Sequence, residues 1–280
     1  MSDYLMRDAA PLSAEEWEAL DGVVVRTAKT LLVGRRFVEL AGPLGAGTLA
    51  VPVFRVCVGE GDCACDEEGC ECGEGECECD ATHTAGYDLL DMWTIHRDFI
   101  LSWRAVEANR KLGLGLELGP VGAAAAAVAQ QEDGLILDTL LTAEGRNTVS
   151  LMDWDEPGGA LENVVAATET LVSKGFFGPY AVVLSPALYA KTQRVAQGMG
   201  RIAGKLIADV AEGGIFRSPI LQKDEGIVLS LGAHNLDLVV AQDLVTAYLG
   251  NEGLDHRYRV MESLVLRIKR PGAICTFEKE

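Results

Sequence analysis

The order of hydrophobic periods along the chain predicts an α+β fold of two interleaved lobes, and three observations carry that prediction. Apolar residues recur at helical spacing from Trp17 to Leu31. Helical patterns and short apolar strands alternate from about 140 to 232. The remainder returns to the two-residue period of half-buried strands, which must pair back onto the first part of the chain.

Taken in order, Ser13 stands where a helix needs its N-cap, with Glu16 three residues on, so that each satisfies a free backbone donor. Leu12 can staple against Trp17. Trp17, Leu20, Val24, Thr27 and Leu31 then form one face, opposite Glu15, Glu18, Asp21, Arg26 and Lys29, and Gly34 is placed to end the helix. Residues 34–38, Gly-Arg-Arg-Phe-Val, read as a strand and Gly42-Pro43-Leu44-Gly45 as a turn. The segment 48–56 reads as extended and leads into an acidic loop. Beyond the loop, Trp93, Ile95, Phe99, Leu101 and Trp103 alternate with Thr94, His96, Asp98, Ser102 and Arg104, a period broken at Arg97 and Ile100. Pro120 suits a first helical turn, and the alanines 123–127 with Val128, Gln131 and Glu132 favour helix to about Leu137.

In the middle stretch, Leu161, Val164, Val165, Thr168 and Val172 line a helical face that ends near Gly175. Residues 180–184 read as a buried strand, and Ser185-Pro186 supplies a cap and first-turn proline for the next helix. Ile202, Leu206 and Val210 continue at helical spacing up to Gly213-Gly214. Strands follow at 227–231, 236–240 and 245–249. A last one carries Tyr258, Val260, Leu264, Leu266 and Ile268 inward and Arg257, Arg259, Ser263, Arg267 and Lys269 outward.

At 280 residues the chain can bury roughly three quarters of its unfolded surface without a staple. Hydrophobic residues make up 49%, yet no apolar run is long enough to cross a bilayer, so no membrane partner is expected. The start, Met1-Ser2-Asp3-Tyr4, lacks the basic and apolar regions of a signal peptide, and a cytoplasmic location is expected. A net charge of -18 argues against nucleic acid as a partner, because phosphate binding needs a basic footprint. Much of the excess is local: ten acidic residues and no Lys or Arg fall between Glu60 and Asp80, leaving about -8 for the rest.

Seven of the eight cysteines fall between Cys57 and Cys79, a stretch that overlaps this acidic segment. Cys57 is followed by a repeat, Cys63-Ala-Cys65, Cys70-Glu-Cys72 and Cys77-Glu-Cys79, in which each pair lies seven residues after the last. Cys-x-Cys in an extended chain turns both thiols to one side, and glycines at 59, 61, 69, 73 and 75 let the backbone wrap. Thiolates prefer soft metals, so Zn, Cu or Fe are candidates, with His83 as a nitrogen donor. The neighbouring carboxylates work against this by repelling thiolate. Disulfide cross-linking and a low-complexity insert stay open beside metal binding. Cys275, alone, reads as a small buried apolar residue.

The amphipathic helix, the Gly34-Arg35-Arg36-Phe37-Val38 segment and the Gly-Pro-Leu-Gly turn, in that order, resemble the start of the encapsulins, shell proteins on the tailed-phage major capsid protein-like fold. Further landmarks extend the resemblance over most of the chain: Gly178-Pro179-Tyr180, Glu212-Gly213-Gly214-Ile215 before Ser218-Pro219, Ala241-Gln242-Asp243-Leu244 with Tyr248, and the closing strands 259–277. The acidic cysteine segment has no counterpart. The resemblance implies an N-terminal helix and arm (1–44), an extended loop reaching neighbouring subunits (45–86), a peripheral domain with a spine helix (87–139 and 233–280), and an axial domain ringing a pore (140–232). It implies an icosahedral homo-oligomer that encloses a cargo enzyme, a peroxidase or a ferritin-like iron-handling protein, docked through a C-terminal targeting peptide. No cofactor is required.

By the same resemblance Arg35, Phe37 and Glu39 flank the cargo groove, although these residues equally suit a strand that holds its own fold. Gln197, Met199 and Arg201 fall at pore-lining positions, where Gly198 and Gly200 are also consistent with a plain loop tip. Trp103 lies one place from the tryptophan that carries flavin in some relatives, so flavin is not expected.

Catalytic signals are weak. The four histidines are far apart, the glycines of 198–205 match neither a dinucleotide loop nor a P-loop, and Asp153, Asp155 and Glu156 beside Trp154 read as a solvated turn. The sequence therefore points to a non-enzymatic shell protomer. A viral major capsid protein, a thiol-rich metal-storage or redox protein, and a hydrolase stand as alternatives.

Overall fold

The capping box at Ser13 forms: its Oγ accepts from the Glu16 N–H at 3.2 Å, and Glu16 Oε2 accepts from the Ser13 N–H at 2.8 Å. The structure is a computed structural model that describes residues 3–57, 83–194 and 201–279. Helix α1 (Ala14–Leu31) buries Leu20, Val24 and Ala28, whereas Leu31 is exposed. Gly34 does not end this helix, which stops at Leu31. The strand expected at 34–38 is instead a 3-10 turn, Gly34–Arg36, followed by the two-residue strand β1 (Leu40–Ala41). The reason is packing. Gly34 is buried so closely against the later spine helix that a Cβ would meet Ile136 Cδ1 at 2.7 Å, and the adjacent residues Phe37 and Val38 are both buried, which no alternating strand allows.

Strands β2 (Ala50–Cys57) and β3 (His83–Asp91) form a separate antiparallel ribbon, with Ala50 opposite Asp91 and Cys57 opposite His83. Then come β4 (Trp93–Leu101) and α2 (Trp103–Leu112). Trp103 opens a helix rather than closing a strand, because Ser102 Oγ accepts from the Arg104 N–H at 3.3 Å and caps it. The spine helix α3 (Gly119–Thr142) runs beyond the expected end at Leu137.

The middle stretch supplies β5 (Asn147–Ser150), α4 (Gly159–Ser173), β6 (Tyr180–Leu184), α5 (Pro186–Thr192), α6 (Ala203–Val210), β7 (Gly214–Arg217) and β8 (Gly226–Ser230). The face of α4 is turned from the expected one: Asn163 and Leu171 are buried and Val172 is exposed. Asn163 goes inside because its Oδ1 accepts from Trp154 Nε1 at 2.9 Å and from the Met152 N–H at 3.0 Å, while its Nδ2 donates to the Ser150 carbonyl. The two strands expected at 236–249 are one, β9 (Leu236–Glu252), paired with β10 (Asp255–Ile268). Last comes β11 (Ile274–Glu278).

Two main sheets result, ordered β1-β9-β10-β4 and β5-β11-β8-β6-β7. β11 lies between β5 and β8, so 274–278 joins the sheet of the middle stretch rather than that of the other residues in 233–280. One core is shared by α1, α3, the four-stranded sheet and one face of the five-stranded sheet, with Leu20, Val128, Ile136, Tyr258, Val183 and Leu229 among its members. On the other face Val182 and Leu184 meet Trp154, Val164, Leu171 and Phe277. β6 is therefore covered on both faces, as its unbroken apolar run requires.

Candidate functional site

The join after α1 is held by acidic side chains from three later elements. On α3, Asp133 Oδ1 accepts from the Gly34 N–H at 2.8 Å and Oδ2 from the Val33 N–H at 2.9 Å. Burial pushes its carboxyl up to about 6, although these backbone hydrogen bonds pull the other way. Arg35, on the 3-10 turn, places Nε 2.7 Å from Glu132 Oε1 on α3, Nη1 2.7 Å from Asp243 Oδ1 on β9, and Nη2 2.7 Å from Glu262 Oε2 on β10. Register shifts around Ser263 in the β9–β10 ladder let Asp243 and Glu262 converge on one guanidinium. Burial works to lower the Arg35 pKa, but hydrogen bonding and charge from Glu132, with Asp243 and Glu262, hold it above its ordinary value. Burial, reinforced by the charge of Glu132, raises the Glu262 carboxyl to about 9.

Of the three residues expected to flank a cargo groove, two point inward. Phe37 is 6% exposed, with its ring centre 5.4 Å from that of Phe216, and Arg35 is taken by its carboxylates. Glu39 is exposed, and its carbonyl accepts from the Leu238 N–H at 2.8 Å. Glu132, Asp133 and Glu262 were not singled out as site residues from the sequence. A signal was present for Glu262, which falls at an inward position between Val260 and Leu264.

Beside α1 lies an open groove of about 800 Å³, lined by Leu12, Trp17 and Val25 with Asp8, Glu18 and Asp21 among the acidic groups. Arg7 crosses it, with Cζ 3.9 Å from the centre of the Trp17 ring and Nη2 2.6 Å from Asp21 Oδ2. The β2–β3 ribbon presents exposed Phe54, Tyr87 and Leu89, the two aromatic ring centres 6.1 Å apart. Its root is tied down by Arg267, whose Nη1 donates to the Pro52 carbonyl at 3.0 Å and whose Nη2 lies 2.7 Å from Asp237 Oδ2.

Of the expected thiol ligands, Cys57 and the nitrogen donor His83 sit opposite each other as backbone partners at the end of that ribbon. Cys63, Cys65, Cys70, Cys72, Cys77 and Cys79 lie outside the described residues, as do Gln197 and Met199 of the expected pore segment. Arg201 is exposed, 3.6 Å from Asp209. Among the described residues no group of three or more His, Cys, Asp or Glu could hold a metal, and no helix is long and apolar enough to cross a membrane. Cys275 is buried, which pushes its thiol up to about 12. Asp155 pairs with Lys191 at 2.8 Å and with Arg194 at the protein surface, so its turn anchors α5.

The sequence model of the Linocin_M18 family, described as encapsulating protein for peroxidase, matches residues 1–265. The type 1 encapsulin shell protein EncA of Myxococcus xanthus is 41% identical over 99% of this chain and 97% of its own length. A diheme-cytochrome-encapsulin shell fusion protein of Kuenenia stuttgartiensis is 35% identical over 95% of this chain and 74% of its own. Among solved structures, the virus-like particle from Pyrococcus furiosus superposes with a TM-score of 0.80 at 20% identity, covering 95% of this chain and 100% of that one. That likeness bears on the fold alone.

Proposed function

This chain belongs to the Linocin_M18 family, the encapsulin shell proteins, and from that premise we propose how its copies take up a cargo enzyme. The protomer is a structural wall component and not an enzyme. Our reading is that a cytoplasmic cargo, a peroxidase or a ferritin-like iron-handling protein, carries a C-terminal tail that docks in the groove beside α1. The observation that carries it is the lining of that groove, an apolar floor of Leu12, Trp17 and Val25 rimmed by Asp8, Glu18 and Asp21. Such a surface suits a peptide that alternates apolar side chains with lysine or arginine. On this reading Arg35 and Phe37 hold α1 from behind, and Glu39 is the exposed member of the three. The Kuenenia relative is a fusion of a diheme cytochrome with the shell protein.

The test is co-expression of shell and a reporter carrying a basic, apolar C-terminal tail, followed by sedimentation of intact particles. Reporter should travel with wild-type particles and be lost from Val25→Glu particles of unchanged size. Equal loading of both would overturn the docking site.

For the acidic segment we propose a thiolate site for Zn, Cu or Fe. Support comes from the ribbon, where pairing of Cys57 with His83 brings the two ends of the insert together. Metal analysis of particles before and after replacing the six repeat cysteines by serine tests it, and equal metal content in the two sinks it. Gln197, Met199 and Arg201 stand as the proposed pore segment.

A further inference from the structure

We propose that Glu262 is kept as a neutral carboxylic acid in the folded protomer, and that the proton it holds is the latch allowing Arg35 alone to serve α3, β9 and β10 at the N-terminal join. The charge count around this guanidinium requires it. Glu132 and Asp133 arrive from α3, Asp243 from β9 and Glu262 from β10, four carboxyl groups around one cation. Three of them are provided for. Glu132 has both oxygens on Arg35, Asp133 takes two backbone N–H groups, and the Asp243 side chain is 62% exposed to water.

Glu262 is different. It is 1% exposed, its Oε2 accepts from Arg35, and its Oε1 is buried with no hydrogen-bond partner among the described residues. Ionised, it would set a bare charged oxygen in a dry space beside Glu132, a state that costs far more than a neutral group there. On the adjacent strand β4, Ile95 lies opposite, and the next two residues, His96 and Arg97, are exposed to solvent. On its own strand, Arg259 is engaged by Asp98 and Arg267 by Asp237. As an acid, Glu262 keeps a carbonyl oxygen for Arg35 and brings no charge. Hydroxide removes the proton as water and leaves a carboxylate that repels Glu132, so the join between α1, α3 and the sheet loosens on the alkaline side.

Infrared spectroscopy of the purified protein in its native oligomeric form reads the proton directly. A protonated carboxyl band is expected at neutral pH, lost as the solution is made alkaline. It should be absent in Glu262→Gln, present in Asp133→Asn, and lost at lower pH in none of these but in Asp243→Lys, which adds a cation beside the pair. Glu262→Gln, a neutral isostere, should also keep particles closed at higher pH than the wild type. The proposal is overturned by a wild type with no acid band at neutral pH, by a band that survives Glu262→Gln, or by an unchanged alkaline limit in that variant. Should Glu262→Gln fail to fold, Asp243→Lys decides, and a band whose loss stays at the wild-type pH overturns the proposal.

Discussion

Asp133 Oδ1 lies 2.8 Å from the backbone nitrogen of Gly34, so a side chain of the spine helix satisfies the start of the 3-10 turn that follows α1. Val33 donates to the same carboxylate at 2.9 Å. Removing the acceptor strands two buried N–H groups at about 1–3 kcal/mol each. Asp133→Ala should therefore lower stability by about 2–6 kcal/mol in urea unfolding, and Asp133→Asn, which keeps one acceptor, by clearly less. Equal losses in the two variants would contradict the hydrogen-bond account.

Stability should fall as pH rises across neutrality. Asp133 and Glu262 have carboxyls raised in the folded state, to about 6 and about 9, so the folded chain holds protons that the unfolded chain has released. Their contribution is full below the ordinary carboxylate values and is lost progressively as pH rises through the raised ones. Asp237 and Asp98 run the other way. Asp237 is lowered by Arg267 and Lys269 against burial, and Asp98 by its hydrogen bonds to Arg259 and Arg257, so their stabilisation is lost only in acid. Urea midpoints measured from about pH 5 to about pH 9 should decline in the wild type and flatten in Glu262→Gln. Parallel curves would show that Glu262 does not titrate in this range.

Two glycines near the spine should respond oppositely to alanine. A Cβ on Gly34 meets Ile136 Cδ1 at 2.7 Å and Asp133 Oδ1 at 3.2 Å, whereas one on Gly134, within α3, meets nothing within 4 Å. Gly34→Ala should cost about 1–3 kcal/mol by overpacking, and Gly134→Ala should gain about 0.5–1 kcal/mol in helix propensity. Thermal unfolding of the two variants checks the signs.

The exposed apolar residues of the ribbon should matter to association and not to the protomer's own fold. Phe54 and Tyr87 are half or more exposed, so serine at both positions should change the circular dichroism spectrum little. The expected occupant of this patch in a shell wall is a neighbouring copy, and on that expectation the double variant should sediment as small species where the wild type forms particles. Full-sized particles at wild-type yield would remove the ribbon from the contact.

How much could be read from residues alone divides along local and non-local physics. The Ser13–Glu16 box and the Ser185 cap were legible because donor and acceptor lie three residues apart. The strand at 180–184 was legible because burial on both faces leaves a continuous apolar run. Residues 34–38 were misread as extended since their turn is imposed by Asp133, a hundred positions away in sequence, a distance that no periodicity spans. Trp103 was misread because one capping serine outweighs a continuing alternation. The Arg35 cluster was half legible: Arg35 was selected, but its partners come from three elements whose meeting depends on the irregular β9–β10 register. A groove bordered by the N-terminal helix is implied by the family resemblance, but its lining is not legible, because the Arg7 side of the helix gains its shape from the preceding arm.

Since β11 inserts between β5 and β8, β5 joins the five-stranded sheet only through residues 274–278. A nascent chain that has emitted everything through β10 still lacks this closing strand. The sheet of the middle stretch is thus closed by a segment made only after the long β9–β10 pair.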